Sequence, residues 1–378
     1  SRHVCARTRA GEVWCWGDNA FGQLGLGDTE DRTRPTPTPE HLHLWNTYIW
    51  QVAAGGDHAL FLTEAGDVLA VGDGELGQLG ILFEGVAAAS ATRPKKVRGF
   101  AGRRVTCVSA GHVNSAAVDE AGGLWTWGRG DLGQGGRDDL GLWAGPDQVE
   151  KPTQIKALKS QRMCLVSVGG CQMLATTHSG ELYAWGHNAF GQLGIGPQLG
   201  WQHRPERVAA LAGKRVRQAS AGGRYSIVLT EAGEVYTMGD GSRGQLGHGN
   251  ARDVVRPARV AALRHVFVWD AAFGKAFLLT LTSDGSVYAN GGSDAGALGL
   301  GAAVREEHTP RQLRALRGRA AQARRQRTDL RGNVERLAEV GACRDRVEHL
   351  VRKVLRVRRG EPEAHLRVGV RQHFEEAA

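Results

Sequence analysis

GELYAWGHNAFGQLG, which runs from Gly180 to Gly194, recurs along the chain and decides the fold. Close copies begin at Gly11 and Gly66, and looser copies begin at Gly122, Gly233 and Gly285. The second glycine of successive copies is separated by 52 to 58 residues. Each unit therefore has room for about four short strands of ~5–6 residues with their turns, which predicts a repeat protein built of small β-sheets.

Residues within one unit alternate as strands do. SIVLT, from Ser226 to Thr230, presents an apolar face, EAG forms a tight turn, and EVYTMG alternates again up to Gly239. A segment of small residues precedes each such pair, as in ASAGG at Ala219. Small side chains suit the crowded centre of a radial array, so the pattern predicts an all-β propeller.

The pattern V-x-A-G-x-x-H-x-x-x-L-T-x-x-G-x-V-x-x-W-G-x-x-x-x-G-Q-L-G resembles the regulator of chromosome condensation repeat. The resemblance covers roughly residues 1–316 and implies a seven-bladed β-propeller, although only six repeat cores are visible. The first copy starts partway through a unit. We expect either a further N-terminal segment that completes the seventh blade or some other closure of the ring.

Glycines at two fixed points of each copy are interpreted as structural, since the turns there favour positive φ. They are Gly17, Gly25, Gly72, Gly80, Gly128, Gly136, Gly186, Gly194, Gly239, Gly247, Gly291 and Gly299. His58 occupies the histidine position of the pattern and is interpreted as a buried, hydrogen-bonded residue of the blade.

Variable segments rich in proline and charge follow each core, and we expect them to be loops on one face of the disc. Such loops on a rigid scaffold commonly form contact surfaces. Trp143 and Trp201 lie in them, where no strand pattern includes them. Two interpretations stay open: a buried anchor between neighbouring loops, or an interface hot spot.

The last part of the chain differs in composition. Residues 311–378 contain eighteen Arg and Lys against nine Asp and Glu, so this part has the whole formal excess of +9. Apolar residues spaced by three and four predict that 317–378 is a basic, mainly helical extension. Its candidate binding residues are Arg324, Arg325, Arg352, Lys353, Arg356, Arg358 and Arg359. The helix could pack on the propeller, dock on a partner protein, or contact nucleic-acid phosphate or a membrane surface.

Signals of catalysis are weak. Three G-x-G-x-x-G matches, at Gly72, Gly128 and Gly239, fall at the same point of the repeat without a following helix, so they indicate turns rather than a dinucleotide site. The six cysteines include no C-x-x-C pair and fit reduced thiols better than a zinc site. We therefore predict no metal, no cofactor and no enzyme activity. No apolar run is long enough to span a bilayer.

Three functions are compatible with these observations. The first is a protein-interaction scaffold, a structural subunit or assembly factor of a larger complex, with an RNA-associated propeller as its variant. The second is guanine-nucleotide exchange on a small GTPase, which the resemblance permits; the Arg137–Pro152 insertion is its candidate loop. The third is light sensing, which is disfavoured because segments such as AGGDHAL at Ala54 lack tryptophan, and GWQHRP at Gly200 is predicted to be a loop. The expected location is intracellular, with a mitochondrion, the cytoplasm, an axoneme or the nucleus as settings.

Overall fold

The computed structural model describes residues 3–8, 10–39, 47–83, 86–87, 89–100, 102–129, 148–197, 200–274, 276–301 and 303–316. These residues form strands and five single-turn 3₁₀ helices, and none of them lies in an α-helix. The predicted helical extension, 317–378, lies outside the described residues.

The strands form six blades and one short hairpin. Blade 1 contains β1 (His3–Arg7), β2 (Val13–Gly17) and β3 (Arg32–Pro37). Blade 2 contains β4 (Ile49–Ala54), β5 (His58–Thr63), β6 (Val68–Asp73) and β9 (Ser90–Lys96), with the hairpin β7 (Leu82–Phe83) and β8 (Val86–Ala87) inserted before β9. Blade 3 contains β10 (Val105–Ala110), β11 (Asn114–Asp119), β12 (Leu124–Arg129) and β13 (Gln148–Gln154).

The remaining three blades repeat the four-stranded order. Blade 4 contains β14 (Met163–Val168), β15 (Gln172–Thr177), β16 (Leu182–His187) and β17 (Trp201–Arg207). Blade 5 contains β18 (Val216–Ala221), β19 (Tyr225–Thr230), β20 (Val235–Gly239) and β21 (Val254–Arg259). Blade 6 contains β22 (Val268–Phe273), β23 (Phe277–Thr282), β24 (Val287–Gly292) and β25 (Glu306–Gln312). The 3₁₀ helices are Lys156–Leu158, Ala209–Leu211, Ala261–Leu263, Asp294–Gly296 and Arg314–Leu316.

The predicted loops between repeat cores contain the outer strand of each blade. β3 has the sequence RTRPTP and β17 has WQHRPER, and both strands are largely exposed along their length. Most side chains of these two outer strands face solvent, so their sequences lack the apolar alternation by which the inner strands are recognised. The prediction that these segments are loops was wrong in this respect.

Apolar side chains fill the space between consecutive blades. Leu24, from the first GQLG turn, is fully buried and packs in one cluster with Ile49 and Phe61 of blade 2. Leu193 from the fourth copy packs in the same way against Val228 and other residues of blade 5. The repeated leucine therefore joins one blade to the next.

The described residues form six blades, so the expectation of seven is not supported. Blade 1 consists of three strands. Since β1 pairs with β2 in the register that β5 adopts with β6, β1 corresponds to the second strand of the other blades, and blade 1 has no described counterpart of β4. Trp16 of blade 1 is only half-buried, whereas Trp127 and Trp185 at the same repeat position are 1% and 0% exposed. In blade 6, the apolar cluster on the side away from blade 5 contains residues of blade 6 alone. Among the described residues, no apolar cluster joins blade 6 to blade 1.

Candidate functional site

Trp201 is the most exposed tryptophan among the described residues. It opens β17, pairs with His187 at the end of β16, and is 43% exposed. Its ring centroid lies 4.5 Å from that of the His187 imidazole. Trp201 thus lies in a strand rather than in a loop, with its indole in a tilted contact with His187 at an interplanar angle of 53° and much of the ring in solvent.

Phe190 and Arg224 extend this surface toward blade 5. The Phe190 ring centroid lies 6.2 Å from that of His187, and the Arg224 guanidinium carbon lies 4.8 Å from the Phe190 centroid. Arg224 follows the Gly222–Gly223 turn and immediately precedes β19. We call His187, Phe190, Trp201 and Arg224 the aromatic patch.

Hydrogen bonds hold the turn that presents Phe190. The Asn188 side-chain oxygen accepts a bond of 2.9 Å from the Leu193 amide, and the Gln192 Oε1 accepts one of 3.0 Å from the Phe190 amide. The Gln192 Nε2 lies 2.8 Å from His187 Nδ1. The same glutamine therefore fixes the backbone of the turn and the imidazole, so the patch is pre-formed, which reduces the entropy lost when a partner binds.

The imidazole is neutral near pH 7. Partial burial and then the positive charge of Arg224 hold the pKa of His187 below its ordinary value. Since Gln192 Oε1 is occupied as an acceptor, its Nε2 is the donor to Nδ1, which places the imidazole proton on Nε2. Arg224 is thus the one cation of the patch.

Sequence reasoning found Trp201 but missed the three other members. The signal for His187 is a substitution within the repeat: Asp18, Asp73 and Asp240 stand where the fourth copy has histidine. Asp73 accepts a bond of 2.8 Å from Gln78 Nε2, so the histidine replaces a charged acceptor by a neutral ring. Only this copy has an aromatic ring at that position and therefore a tilted ring contact with an outer-strand tryptophan.

The matching turns of other blades are different. Phe21 of blade 1 is 42% exposed at the position of Phe190. In blade 5 the position is Arg243, which makes a bidentate ion pair of 2.6 and 2.8 Å with Asp294. Arg243 is thereby held by an ion pair with blade 6, whereas Arg224 lies over the Phe190 ring.

Several predicted residues lie outside the described residues. Trp143 and Gly136 are among them, as are the tail cations Arg324, Arg325, Arg352, Lys353, Arg356, Arg358 and Arg359. Residues 137–147 of the candidate exchange loop are also outside. The eleven other repeat glycines are described, and all have positive φ: Gly17, Gly25, Gly72, Gly80, Gly128, Gly186, Gly194, Gly239, Gly247, Gly291 and Gly299.

His58 lies at a blade junction. It is fully buried at the start of β5, and its Nε2 is 2.9 Å from the Ser115 Oγ of blade 3. Ser115 Oγ in turn donates a bond of 2.8 Å to the Gln78 carbonyl oxygen. The histidine therefore bridges blades 2 and 3 within the protein interior.

Groups of three or more metal-ligating side chains are absent from the described residues. Among those residues, no helix is long and apolar enough to cross a membrane.

Comparison with family models gives one consistent result. The model described as Regulator of chromosome condensation (RCC1) repeat matches residues 10–62, 65–118, 121–175, 179–229 and 232–281. A second model of that description matches residues 51–78 and 216–245.

Curated relatives share about a third of their aligned residues with the chain. Human E3 ubiquitin-protein ligase HERC2 is 34% identical over 83% of the chain, which spans 6% of the length of HERC2. The ultraviolet-B receptor UVR8 of Arabidopsis thaliana is 33% identical, covering 77% of the chain and 64% of the receptor. The mitochondrial RCC1 domain-containing protein RUG3 of the same plant is 32% identical, covering 81% of the chain and 67% of RUG3.

A solved structure shows the same fold. The crystal structure of human WBSCR16 superimposes with a TM-score of 0.71 at 24% identity, covering 82% of the chain and 79% of that protein.

Proposed function

Because the chain belongs to the regulator of chromosome condensation (RCC1) repeat family, we propose that it is a protein-interaction scaffold, a structural subunit or assembly factor of a larger complex. The observation that carries the proposal is the aromatic patch, in which Trp201 is 43% exposed against a fixed imidazole. Tryptophan and arginine are the residues most enriched among interface hot spots. No reaction is assigned to the chain.

The chemistry of the patch limits what it can accept. Its exposed surface is apolar at Trp201 and Phe190, and its one charge is positive. A partner that places an apolar side chain against the indole and a carboxylate near Arg224 would satisfy both features. We therefore expect a protein segment that combines apolar and acidic residues.

The test compares two exposed aromatic residues in otherwise identical full-length chains. Partners captured from a native extract are quantified by mass spectrometry with the unchanged chain, W201A and F21A. Loss of the indole should lower the recovery of the principal partner at least tenfold, since a hot-spot truncation costs ~2 kcal/mol or more. F21A, which removes a ring of similar exposure from blade 1, should leave it unchanged. Equal recovery with W201A would contradict this role of the patch.

The basic extension is proposed as a second contact. Its cations at Arg356, Arg358 and Arg359 would be reversed to glutamate in the full chain, and binding would be measured at low and high salt. An electrostatic contact should weaken with salt in the unchanged chain and lose that dependence in the variant. If both proteins bind equally at all salt concentrations, the extension makes no such contact. Loss of the partner after nuclease treatment would instead favour the RNA-associated variant.

Exchange-factor activity stays an alternative hypothesis. It predicts faster release of labelled nucleotide from at least one member of a panel of small GTPases when the full chain is added at micromolar concentration. No acceleration across the panel would remove it.

A mitochondrial setting is proposed on one observation, which is that the relative RUG3 is named as mitochondrial. Cell fractionation with antibodies against the endogenous protein would test it. Recovery in the cytosolic or nuclear fraction alone would contradict it.

A further inference from the structure

Two cysteines face each other across the first two strands of blade 1. Cys5 on β1 and Cys15 on β2 are directly opposed in the antiparallel register. Their sulfur atoms are 2.7 Å apart. Directly opposed residues in an antiparallel pair have Cα atoms about 4.5–5.5 Å apart, which is within the range of about 4.4–6.8 Å that disulfides span.

Both thiols lie in the apolar layer between blades 1 and 2. Cys5 is 3% exposed and Cys15 is 0% exposed, and they share a cluster with Leu24, Val52 and Phe61. A pair of sulfurs enclosed in this way meets no competing thiol of another molecule. Oxidation of either cysteine is therefore expected to link it to the other cysteine of the pair.

We propose that Cys5 and Cys15 form a modification site that closes to an intramolecular disulfide when the protein meets a peroxide. In the first step one thiol, as thiolate, attacks hydrogen peroxide; the O–O bond breaks, water is released and a sulfenic acid remains. In the second step the other thiol attacks the sulfenic sulfur, the S–S bond forms and a second water is released. The two cysteines lose two electrons and two protons, and one peroxide is reduced to two waters.

The remaining described cysteines lack this geometry. Cys107 is opposed to Val118 in the register of β10 and β11. Cys164 falls at the register shift between β14 and β15, and its Sγ donates a hydrogen bond of 3.3 Å to the Thr176 carbonyl oxygen. Cys171 lies in the turn before β15, outside the paired positions. Within the described part of the chain, the pair in blade 1 is thus the one in which two cysteines occupy opposed positions.

The disulfide would fix the innermost described strand of blade 1 to its neighbour. β1 is the innermost described strand of blade 1, whereas its counterpart β5 is flanked by β4 and β6. A bond between Cys5 and Cys15 would close a loop of eleven residues and prevent β1 from leaving β2. Oxidation is therefore expected to stabilise blade 1 without altering the opposite part of the ring, where the aromatic patch lies.

Trypsin cleavage gives a direct test. The full chain is treated with hydrogen peroxide, alkylated and digested without reductant. The expected product joins HVCAR (residues 3–7) to AGEVWCWGDNAFGQLGLGDTEDR (residues 10–32), with a mass about 2 Da below the sum of the two thiol peptides because two hydrogens are lost. Reductant should separate them, and C15A should give no linked product. C171A, which removes a thiol outside the pair, should give the same linked product as the unchanged chain.

The wild-type digest decides the matter even if C15A folds poorly. Recovery of both peptides in alkylated form, or of Cys5 or Cys15 as sulfinic acid without the linked product, overturns the proposal. A linked product whose yield rises with protein concentration also overturns it, since that would indicate a bond between chains. The oxidised protein should further show a melting temperature several degrees above that of the reduced protein, a shift that reductant reverses.

Discussion

Gln51 of blade 2 binds both backbone groups of Val108 in blade 3. Its Nε2 donates a hydrogen bond of 2.9 Å to the Val108 carbonyl oxygen, and its Oε1 accepts one of 3.0 Å from the Val108 amide. Both residues lie on the innermost strands of their blades. Gln218 makes a related bond of 3.0 Å to the Ala271 carbonyl oxygen between blades 5 and 6. Side chains near the axis thus join the backbones of neighbouring sheets.

This junction predicts a large effect of Q51A on stability. Truncation leaves the amide and carbonyl of Val108 without their partner in a buried setting, which should lower the free energy of unfolding by about 2–4 kcal/mol. Urea denaturation followed by circular dichroism measures the change. Gln202, whose side chain bonds the Arg204 carbonyl oxygen on the surface, provides the control. Q202A should change stability by less than about 0.5 kcal/mol, and similar losses in both variants would contradict the role assigned to Gln51.

The leucine of the repeated turn predicts a second effect. Leu193 is 0% exposed in the layer between blades 4 and 5. L193A should cost about 2–5 kcal/mol, since it removes buried apolar surface and leaves a cavity. Leu82 is 42% exposed and offers a matched control for the same substitution. L82A should change the free energy of unfolding by less than about 0.5 kcal/mol. Equal denaturation midpoints for L193A and the unchanged chain would show that the turn does not hold the blades together.

The extent to which sequence determined the fold differs between inner and outer strands. Inner strands such as β5 are buried at every position, so their apolar and small residues indicated both the strands and the repeat. Outer strands such as β3 pair with a neighbouring strand along one edge only and have solvent-facing Arg, Thr and Pro. Their sequences therefore resemble loops. The expectation of seven blades came from the family resemblance, although the sequence shows six repeats.

The candidate site was predicted only in part for a related reason. Trp201 stood out because no strand pattern explained it. His187 and Arg224 are distant from Trp201 in sequence and reach the patch through the pairing of β16 with β17 and the contact between blades 4 and 5. Such neighbours follow from tertiary packing, which a single sequence does not specify.

The glycine near the end of β16 predicts a third effect on stability. Gly186 has φ of 102°, and a Cβ there would collide with the Cys171 carbonyl oxygen. G186A should therefore be severely destabilised, by more than about 3 kcal/mol, because backbone strain and backbone contact add. Gly213 has φ of 78°, and a Cβ at that residue would have no other atom within 4 Å, so it separates the two contributions. G213A should lose only about 1–2 kcal/mol. Thermal unfolding of both variants measures the difference, and a smaller loss for G186A than for G213A would exclude the steric explanation.

Burial of His3 predicts a pH dependence of stability. Loss of hydration is the main cause that lowers the pKa of His3 to about 4, from 6.5 in an unfolded chain. Because the unfolded state binds the proton more tightly, protonation favours unfolding: the stability is complete above pH 6.5 and falls as pH drops toward 4. The loss across this interval is about 3 kcal/mol for a shift of this size. Urea midpoints measured from pH 7.5 to 4.5 should decline for the unchanged chain and decline less for H3Q. H178Q, which removes an exposed imidazole, should follow the unchanged chain. If H3Q shows the same slope as the unchanged chain, His3 is not the group whose titration destabilises the fold, since removing the imidazole removes the only proton that this explanation invokes.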